Sequence, residues 1–307
     1  MDVLSQILRT LKLYGSLYFR TDLSAPWGLE VPADPQAVRF HVVVQGTCWL
    51  RLAGAPQAMP LTTGDLALVP YGKAHQLSDG TSTPCRPLLD VLQERQFAGH
   101  GVLRYGGGGV LTQLVCGYFG FEPAASHPVL ESLPEPLILC GAQTQQHHWL
   151  STVIELITQE AGSNQLGASA LVDRLSEVLF IQILRTYVAI APDRTSCLTA
   201  LGDAYIGQAI QALHQHPARR WTVATLARTV GLSRSSFAAR FTQLMGMPPL
   251  HYLTRWRIEL AKGALDMSPE SVSHIADQVG YRSEAAFITV FKRYVGYTPS
   301  AYRRRLK

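Results

Sequence analysis

Two stretches in the last third of the chain decide the fold: TVATLARTVGLSRSSFAARF at 222–241 and SVSHIADQVGYRSEAAFITVF at 271–291. Their apolar, glycine, serine and aromatic positions recur with an offset of 49 residues before a turn and 50 residues after it. One residue inserted in the second turn, GYRS at 280–283 against GLS at 231–233, explains the change. The agreement indicates an internal repeat of one supersecondary unit.

Each copy of the repeat has the layout of a helix-turn-helix. A short helix ends at a glycine, which accepts the left-handed conformation of a C-terminal cap, and a serine then caps the next helix. A turn of three or four residues between two helices is typical of this motif. The phenylalanine pairs of the second helices predict their inward faces: Phe237 with Phe241, and Phe287 with Phe291.

The outward faces of these second helices are the surfaces that the major groove of DNA would meet. At 100° per residue, the outward positions are Ser235, Ala239 and Thr242 in the first copy and Ala285, Thr289 and Lys292 in the second. Cations on the flanks and at the helix starts suit phosphate oxygens. These cations are Arg234, Arg240, Arg282, Lys292 and Arg293.

The distribution of charge agrees with a polyanionic partner for this segment. Residues 200–307 hold 15 Lys and Arg against 6 Asp and Glu, a net charge of +9. Residues 1–199 hold 12 against 16, a net charge of −4. A basic segment on a weakly acidic body is expected when one part binds nucleic acid, although a solvated basic face would look the same.

Residues 203–305 resemble the DNA-binding domain of the AraC/XylS family of bacterial transcription regulators. The resemblance rests on the doubled motif, on WRIELAKGAL at 256–265 and on IADQVGYRSEAAFITVFKRYVGYTPSAYRR at 275–304. It implies base contacts near the starts of the two second helices. The resemblance carries these contacts to Ser235, Ala238 and Ala239 in the first copy and to Ala285, Ile288 and Thr289 in the second. Ser236 and Glu284, at the starts of the same helices, complete the residues expected at DNA.

The reading side chains are short or apolar, whereas bidentate base recognition usually employs Arg, Asn or Gln. We therefore expect specificity to depend on thymine-methyl contacts, on Arg234 and on DNA shape. The linking segment PPLHYLTRWRIELAKGALDM at 248–267 is rich in helix formers and would hold the two units in fixed relation. Two readers so held would cover major-groove segments about 34 Å apart.

The first half of the chain shows short apolar runs separated by turn residues, as in a barrel or sandwich. VRFHVVV at 38–44 and TCWLRL at 47–52 flank Gln45-Gly46, which predicts a hairpin. DLALVP at 65–70 and VLTQLVCGYFGF at 110–121 predict two further strands.

The period changes after a proline-rich stretch. Leu150, Val153, Ile154 and Ile157 form the apolar stripe of a helix. A second helix, about 168–190, is apolar on two faces, one with Leu171, Leu175, Val178 and Leu179 and the other with Phe180, Ile183, Leu184 and Tyr187. Two apolar faces require burial on two sides, either against a second subunit or wholly within the chain.

The segment GDLALVPYGKAHQLSD at 64–79 fits the second motif of the cupin barrel, and RFHVVVQG at 39–46 resembles the first. Of four metal-ligand positions, His41 and His75 remain, because Arg39 and Gln45 replace a histidine and the glutamate. Such a set would bind a divalent ion poorly, so we predict no metal and no cofactor. Either the histidines line the interior as hydrogen-bonded residues, or Arg39, His41, Gln45, Trp49 and His75 line a pocket for a small, anionic effector.

Thiol oxidation is the alternative signal. Five cysteines without a CxxC pair indicate neither a disulfide framework nor a zinc knuckle. Cys85 lies in TSTPCRP at 81–87 beside Arg86, a cation that would lower its pKa, which makes it the redox candidate. Cys116 and Cys140 lie beside or within apolar runs and are expected to be inert packing residues.

The sequence thus predicts an α+β multidomain protein: a cupin-like β-barrel at 1–144, a helical dimerisation segment at 145–190, a linker at 191–202 and an all-α DNA-binding domain at 203–307. Its helix-turn-helix units are placed at about 222–244 and 271–294.

We expect a homodimeric, sequence-specific transcription regulator, an activator by family habit, with double-stranded DNA, RNA polymerase and an effector or oxidant as partners. No catalytic residue is assigned. The competing classes are a cupin metalloenzyme with an appended DNA-binding domain and an architectural DNA binder. A composition that is 47% hydrophobic and 16% charged excludes a disordered chain. No apolar run reaches the roughly 18 residues that span a bilayer and the start of the chain lacks a signal peptide, so a cytoplasmic location is expected.

Overall fold

The computed structural model describes residues 2–34, 37–97, 101–121, 127–161, 163, 165–190 and 197–305. The chain divides into two compact units. The sheet unit comprises Leu13–Phe121 and Leu133–Ile190. The helical unit comprises Met1–Lys12, Glu122–Ser132 and Ala191–Lys307. Residues 191–196 of the expected linker lie outside the described residues.

The sheet unit contains eleven described strands and four described helices. The strands are β1 Tyr14–Ser24, β2 Gly28–Val31, β3 Ala37–Gln45, β4 Thr47–Leu52, β5 Met59–Thr62, β6 Leu66–Val69, β7 His75–Ser78, β8 Arg86–Pro87, β9 Val102–Gly106, β10 Leu111–Gly120 and β11 Leu137–Leu139. The helices are α2 Leu88–Glu94, α4 Gly141–Gln146, α5 His148–Glu160 and α6 Ala168–Ile190. A short 3₁₀ turn spans Pro70–Gly72.

The strands form two sheets with a shared core. One sheet has the order β11-β6-β3-β10-β1-β9 and the other β5-β4-β7-β2-β8. Alternate side chains of both sheets meet in one apolar cluster, which includes Phe19 and Leu114 from the first sheet and Leu29, Leu50 and Leu77 from the second. This sheet-rich unit has the cupin-like architecture that the sequence predicts.

The predicted hairpin at Gln45-Gly46 is wrong. β3 pairs with β10 and β6, whereas β4 pairs with β5 and β7, so the chain crosses from one sheet to the other at Gly46. Gly46 has φ 86°, and a Cβ there would approach the carbonyl oxygen of Leu111 to 2.7 Å. The glycine therefore forms a corner between sheets, which two adjacent apolar runs do not distinguish from a hairpin.

The helical unit is built from α1 Val3–Thr10, α3 Pro128–Glu131, α7 Cys197–Ala200, α8 Ile206–Gln215, α9 Val223–Thr229, α10 Arg234–Met245, α11 Pro249–Met267, α12 Val272–Gln278, α13 Glu284–Val295 and α14 Pro299–Arg305. The pairs α9 with α10 and α12 with α13 are the two helix-turn-helix units. Within the described residues, no helix is both long enough and apolar enough to cross a lipid bilayer.

The caps that the repeat predicts are present. Ser233 accepts a hydrogen bond from the backbone N–H of Ser236, and Ser283 accepts one from Ala286. Gly246 and Gly296 end α10 and α13 in the left-handed conformation. These caps satisfy backbone groups that have no partner inside the helix, which explains why a serine directly precedes each recognition helix, α10 and α13.

Each helix-turn-helix unit has its own core. In the second unit, Phe287 and Phe291 are fully buried together with Ile275 and Tyr302, against Leu265 of the long helix α11. In the first unit, Phe237 and Phe241 are likewise fully buried. The predicted inward faces of both recognition helices are therefore confirmed.

Two segments from the first half of the chain belong to the helical unit, which the sequence did not predict. Ile7 and Leu11, in and just after α1, are fully buried, and α1 packs against α8 and α11. Lys12 pairs with Asp266 at 2.5 Å. Residues 127–132, which include α3, pack against α7 and α11, so the helical unit is assembled from three parts of the chain.

Candidate DNA-binding surface and ligand cavity

The predicted DNA contacts lie on the solvent-exposed faces of α10 and α13. Twelve of the fourteen side chains are exposed, and the other two, Ala238 and Ile288, are half-buried beside the phenylalanines. Their surfaces offer few long polar groups, because Thr289 donates its hydroxyl to the carbonyl of Ala285 within the same helix. These faces therefore present mainly methyl and methylene groups, with arginines at their edges.

Four of the predicted phosphate-binding cations are available to DNA. Arg234, Arg282, Lys292 and Arg293 are exposed, and none of them forms an ion pair with any residue that the structure describes. Long cationic side chains at the ends of recognition helices reach backbone phosphates on either side of the groove.

Arg240 differs from the other cations. Its guanidinium donates to both carboxylate oxygens of Asp203, with Nη2 to Oδ2 at 2.5 Å and Nε to Oδ2 at 3.1 Å. Burial would raise the pKa of Asp203, but the hydrogen bonds from Arg240 and from two backbone N–H groups lower it overall. Asp203 also accepts from the N–H groups of Tyr205 and Ile206, so Arg240 ties α10 to the start of α8.

A buried aromatic and histidine cluster lies inside the helical unit. The ring of His214 stacks on Trp256 with centroids 3.9 Å apart, and its Nε2 lies 2.7 Å from the hydroxyl of Tyr252. That hydroxyl is also 3.4 Å from Nε2 of His127. Burial lowers the pKa of His214 to about 3 and that of His127 well below its ordinary value. Both imidazoles are therefore neutral at pH 7.

An ion pair also holds the segment of residues 127–132 against α11. Arg255 of α11 donates through both terminal nitrogens to the two carboxylate oxygens of Glu131, a bidentate pair. His127 and Glu131 thus flank α3 with two specific contacts to α11. Sequence reasoning did not find this site because its members are separated by more than 120 residues and share no motif.

The sheet unit encloses a cavity of about 160 Å³. Most of its lining is aliphatic or aromatic, and α2 provides three leucines of its wall. The polar exceptions are Thr21, Arg39, His41 and Cys116. The full lining is Phe19, Thr21, Leu29, Val31, Pro32, Arg39, His41, Leu77, Leu88, Leu89, Leu92, Leu114 and Cys116.

The structure places the five predicted effector residues at different depths. Arg39 and His41 line the cavity. His75 does not belong to the lining and is hydrogen-bonded to His41. Gln45 is exposed at the end of β3, beyond a register shift opposite Gln113 and Leu114. Trp49 alternates with the buried Cys48 and Leu50 on β4 and therefore points away from the core. The cavity lining thus differs from the predicted set at these last three positions.

The histidines form a hydrogen-bonded chain with a defined direction. His75 Nδ1 donates to the carbonyl of Lys73 at 2.8 Å, so its Nε2 accepts from Nε2 of His41, also at 2.8 Å. His41 Nδ1 then accepts from the thiol of Cys116, with a nitrogen–sulfur distance of 3.1 Å. Burial lowers the pKa of His75 to about 4 and that of His41 well below its usual range. All four ring nitrogens of the two neutral histidines are therefore engaged in hydrogen bonds.

This arrangement does not fit the metal that the cupin fold implies. The Nε2 atoms of His41 and His75 are hydrogen-bonded to each other, so an ion would have to break this bond to use either atom. Cys116 lies on the opposite nitrogen of His41, and within the described residues no three His, Cys, Asp or Glu side chains are grouped to hold an ion. A neighbouring guanidinium further disfavours a cation there.

The environment of Cys85 differs from the sequence prediction. Arg86 donates to Glu94 at 2.8 Å instead of lowering the pKa of the adjacent thiol. Partial burial, with contributions from Glu30 and Asp79, raises the pKa of Cys85 despite the opposing effect of Arg51. Burial also raises the pKa of Cys48 to about 12, and that of Cys116 further. These three thiols are protonated at neutral pH.

The two-faced helix α6 is buried on one side. Phe180, Ile183 and Leu184 are fully buried in the sheet unit. Leu171 and Val178, seven residues apart, are 49% and 39% exposed. Trp149 of α5 is 70% exposed. An apolar surface therefore remains on this helical pair within the described chain.

Comparisons with known proteins identify relatives of both units. The family model described as Cupin matches residues 2–189, and the model described as Helix-turn-helix domain matches residues 226–305. A putative AraC-like transcription regulator of Streptomyces lividans is 34% identical over 306 residues, which cover 99% of this chain and 98% of that protein. The RCS-specific HTH-type transcriptional activator RclR of Escherichia coli (strain K12) is 29% identical, over 100% of this chain and 99% of that protein.

A solved structure with sequence similarity is the DNA-binding domain of AdpA in complex with a target DNA. It is 33% identical, covers 34% of this chain and 92% of that chain, and has a TM-score of 0.32.

Proposed function

Because the chain belongs to the AraC-like helix-turn-helix transcription regulators, with an N-terminal cupin domain, we propose that it is an activator controlled by a small molecule bound in the sheet unit. The observation that carries this proposal is the cavity of about 160 Å³, whose mostly apolar wall includes Arg39 as its charged residue. A void of this size costs packing energy that a bound ligand would restore. DNA binding is the function common to the family, and the bound small molecule would control it in this protein.

The protein acts on double-stranded DNA through α10 and α13. Each helix presents an exposed face backed by a phenylalanine core, and four uncommitted cations flank the faces. We assign base contacts to the predicted positions on these faces and phosphate contacts to Arg234, Arg282, Lys292 and Arg293. Shape and methyl contacts supply sequence preference.

A homodimer is the proposed form of the protein. Trp149, Leu171 and Val178 are exposed apolar side chains of α5 and α6, and exposed apolar side chains on a helical pair suit an interface with a second copy. RNA polymerase is the proposed partner in activation. Thiol oxidation remains the second candidate signal, through Cys85, although its raised pKa disfavours it.

We assign no enzymatic activity to the cupin domain. The two histidines at the expected metal position occupy each other, and their neutral state leaves Arg39 as the charged group of the cavity lining. A metal-dependent reaction would require a coordination set that these residues do not form.

A reporter experiment tests ligand control. A reporter driven by the region upstream of the neighbouring genes is measured in cells exposed to a panel of small organic acids, alcohols and sugars. Leu77→Phe, which fills the cavity, is expected to abolish the response of the wild-type protein, whereas Leu250→Phe, on the exposed surface of α11, keeps it. A response that survives Leu77→Phe would contradict control through the cavity.

A further inference from the structure

The two recognition helices carry opposite charges at the same position of the repeat. Ser233 and Ser283 cap α10 and α13, and the residues that follow them are Arg234 and Glu284. The repeat therefore aligns a cation in the first unit with a carboxylate in the second. Because the two units share one layout, these side chains meet corresponding parts of the two DNA segments.

The carboxylate of Glu284 is available to DNA. The residue is exposed, and it forms neither an ion pair nor a side-chain hydrogen bond with any residue in the described part of the chain. The helix has its cap without it, because the hydroxyl of Ser283 already accepts from the backbone N–H of Ala286. A favourable interaction with the helix dipole is the structural alternative to a DNA contact.

The phosphates of DNA repel this carboxylate. Residues 200–307 have a net charge of +9, and Arg282, Lys292 and Arg293 are the cations of the second unit that suit phosphate oxygens. A carboxylate at the start of the same recognition helix lowers the affinity for DNA of every sequence, unless it accepts a hydrogen bond from a base. Glu284 therefore acts on sequence preference rather than on general affinity.

The neighbours of Glu284 allow its side chain to reach the base edges. Residues at the N-terminal end of a recognition helix are the ones that contact base edges in the major groove. Ala285 and Ala286 are exposed and carry only methyl groups, so the start of α13 can approach the groove closely.

The major groove offers a carboxylate two kinds of donor, the N4 amino group of cytosine and the N6 amino group of adenine. The adenine amino group lies beside the N7 acceptor of the same base, which repels a carboxylate oxygen. Cytosine has no acceptor on its own major-groove edge. A carboxylate therefore prefers cytosine.

We infer that Glu284 selects a cytosine in the DNA segment that α13 reads, by accepting a hydrogen bond from the N4 amino group of that base. Arg234 at the equivalent position of α10 makes no such selection, so the two units read unlike segments. This inference rests on the proposed DNA-binding function and names the base chemistry of one contact, in addition to the methyl and shape contacts.

Selection of binding sites from a pool of random duplex DNA by the full-length protein tests this contact. The wild-type protein is expected to enrich cytosine at one position where Glu284→Ala enriches no base. Glu284→Gln is expected to enrich adenine there, because glutamine pairs with N6 and N7 of adenine. Asp277→Asn removes an exposed carboxylate of α12 and is the matched control, which keeps the cytosine. Cytosine enrichment that survives in Glu284→Ala overturns the inference.

Fluorescence anisotropy on the selected DNA and on its three single-base variants at this position measures the discrimination. Replacement of the cytosine is expected to weaken wild-type binding at least about fivefold, whereas Glu284→Ala binds all four DNAs within about a factor of two of one another. Urea unfolding measures the structural alternative. If Glu284→Ala lowers the unfolding midpoint and weakens binding to all four DNAs equally, with the preference for cytosine retained, the inference is overturned.

Failure of the proposed function gives a different result. A wild-type protein that enriches no base at any position does not bind DNA sequence-specifically, which overturns the proposed function together with this inference. Enriched positions that are all unchanged in Glu284→Ala leave sequence-specific binding intact and overturn the cytosine contact alone.

Discussion

At the scale of single residues, the arginines of the recognition helices have different roles despite similar exposure. Arg234 and Arg293 extend from exposed positions of α10 and α13 without an ion pair among the described residues. Arg240 is held by Asp203. The sequence presents all three as flanking cations, because the partner of Arg240 lies 37 residues away.

The salt dependence of DNA binding distinguishes these roles. Arg234→Ala and Arg293→Ala are each expected to weaken operator binding and to reduce the slope of log K against log salt by about 0.9, the value for one released counterion. Arg240→Ala reduces it less, because Asp203 already neutralises this side chain. Fluorescence anisotropy of labelled operator DNA, at salt concentrations from about 50 to about 300 mM, measures the slopes. Arg104→Ala, far along the sequence in β9, is the control. An unchanged slope for Arg234→Ala would refute the phosphate assignment.

Four buried histidines make stability dependent on pH. The pKa of His75 is lowered to about 4 and that of His214 to about 3, and those of His41 and His127 are also lowered. The unfolded chain therefore binds protons first as the pH falls through about 6.5, and folding stability decreases from there towards the lowered pKa values.

Urea unfolding at pH 7.5, 6.0 and 5.0 tests this dependence. Each histidine is expected to contribute a loss of up to about 2 kcal/mol between pH 6.5 and pH 5. His274→Gln, which changes an exposed histidine, should leave the difference between these conditions intact. Equal stability at pH 7.5 and pH 5.0 would show that the buried imidazoles are charged in the folded state.

At the scale of elements, the corner at Gly46 matters more than the strand pattern around it. β3 is buried along most of its length, whereas β4 alternates buried with less buried side chains, and neither pattern shows whether the two strands pair. The crossing is decided by the partners that each strand finds far along the chain, which local periodicity does not contain.

Two glycines with similar positive φ angles distinguish the cost of backbone conformation from the cost of a steric clash. Gly54→Ala, at φ 80° with no heavy atom within 4 Å of the new Cβ, is expected to cost about 1 kcal/mol of unfolding free energy. Gly46→Ala, at φ 86°, also places the Cβ 2.7 Å from the carbonyl oxygen of Leu111 and should cost more than about 2 kcal/mol. Chemical denaturation compares them. Equal costs would mean that the corner relaxes freely.

The exposed apolar face of α6 predicts the assembly state. Leu171→Glu and Val178→Glu are each expected to convert a dimer into a monomer, because they place a charge in the proposed interface. Leu250→Glu is the matched control, since Leu250 is 40% exposed on α11. Light scattering after size-exclusion chromatography measures the mass. A wild-type protein that is monomeric at micromolar concentration would contradict the dimer.

At the scale of the whole molecule, the repeat was predictable and the composition of the helical unit was not. The repeat leaves a local signature: glycine, serine and phenylalanine at set spacings specify caps and inward faces. The packing of α1 and of His127 leaves no such signature in the sequence, because an apolar stripe does not show which surface it will pack against. Arg39 and His41 were identified as cavity residues for the same local reason, whereas their neighbours depend on strand register.

Removal of the first part of the chain tests this composition. A fragment of residues 203–307 lacks α1, which packs against α8 and α11, and lacks His127, whose ring contacts Tyr252 and Trp256. Its unfolding free energy is expected to be at least about 3 kcal/mol below that of the unit in the full chain, since exposure of one large apolar side chain costs about 1.5–3 kcal/mol. Calorimetry measures it. Addition of a peptide of residues 2–12 should raise the midpoint temperature of unfolding of the fragment, and the same peptide with Ile7→Asp should not. A fragment as stable as the intact unit would contradict this prediction.

The chain passes between the two units four times, because Met1–Lys12 and Glu122–Ser132 belong to one and the residues around them to the other. β10, which carries Leu114 and Cys116 of the cavity wall, continues within a few residues to His127. A genetic exchange that joined a foreign sensor at residue 190 would discard α1 and α3 together with the old sensor. A single junction at residue 190 thus yields a helical unit without α1 and α3, and an exchange that keeps this unit whole has to retain both segments.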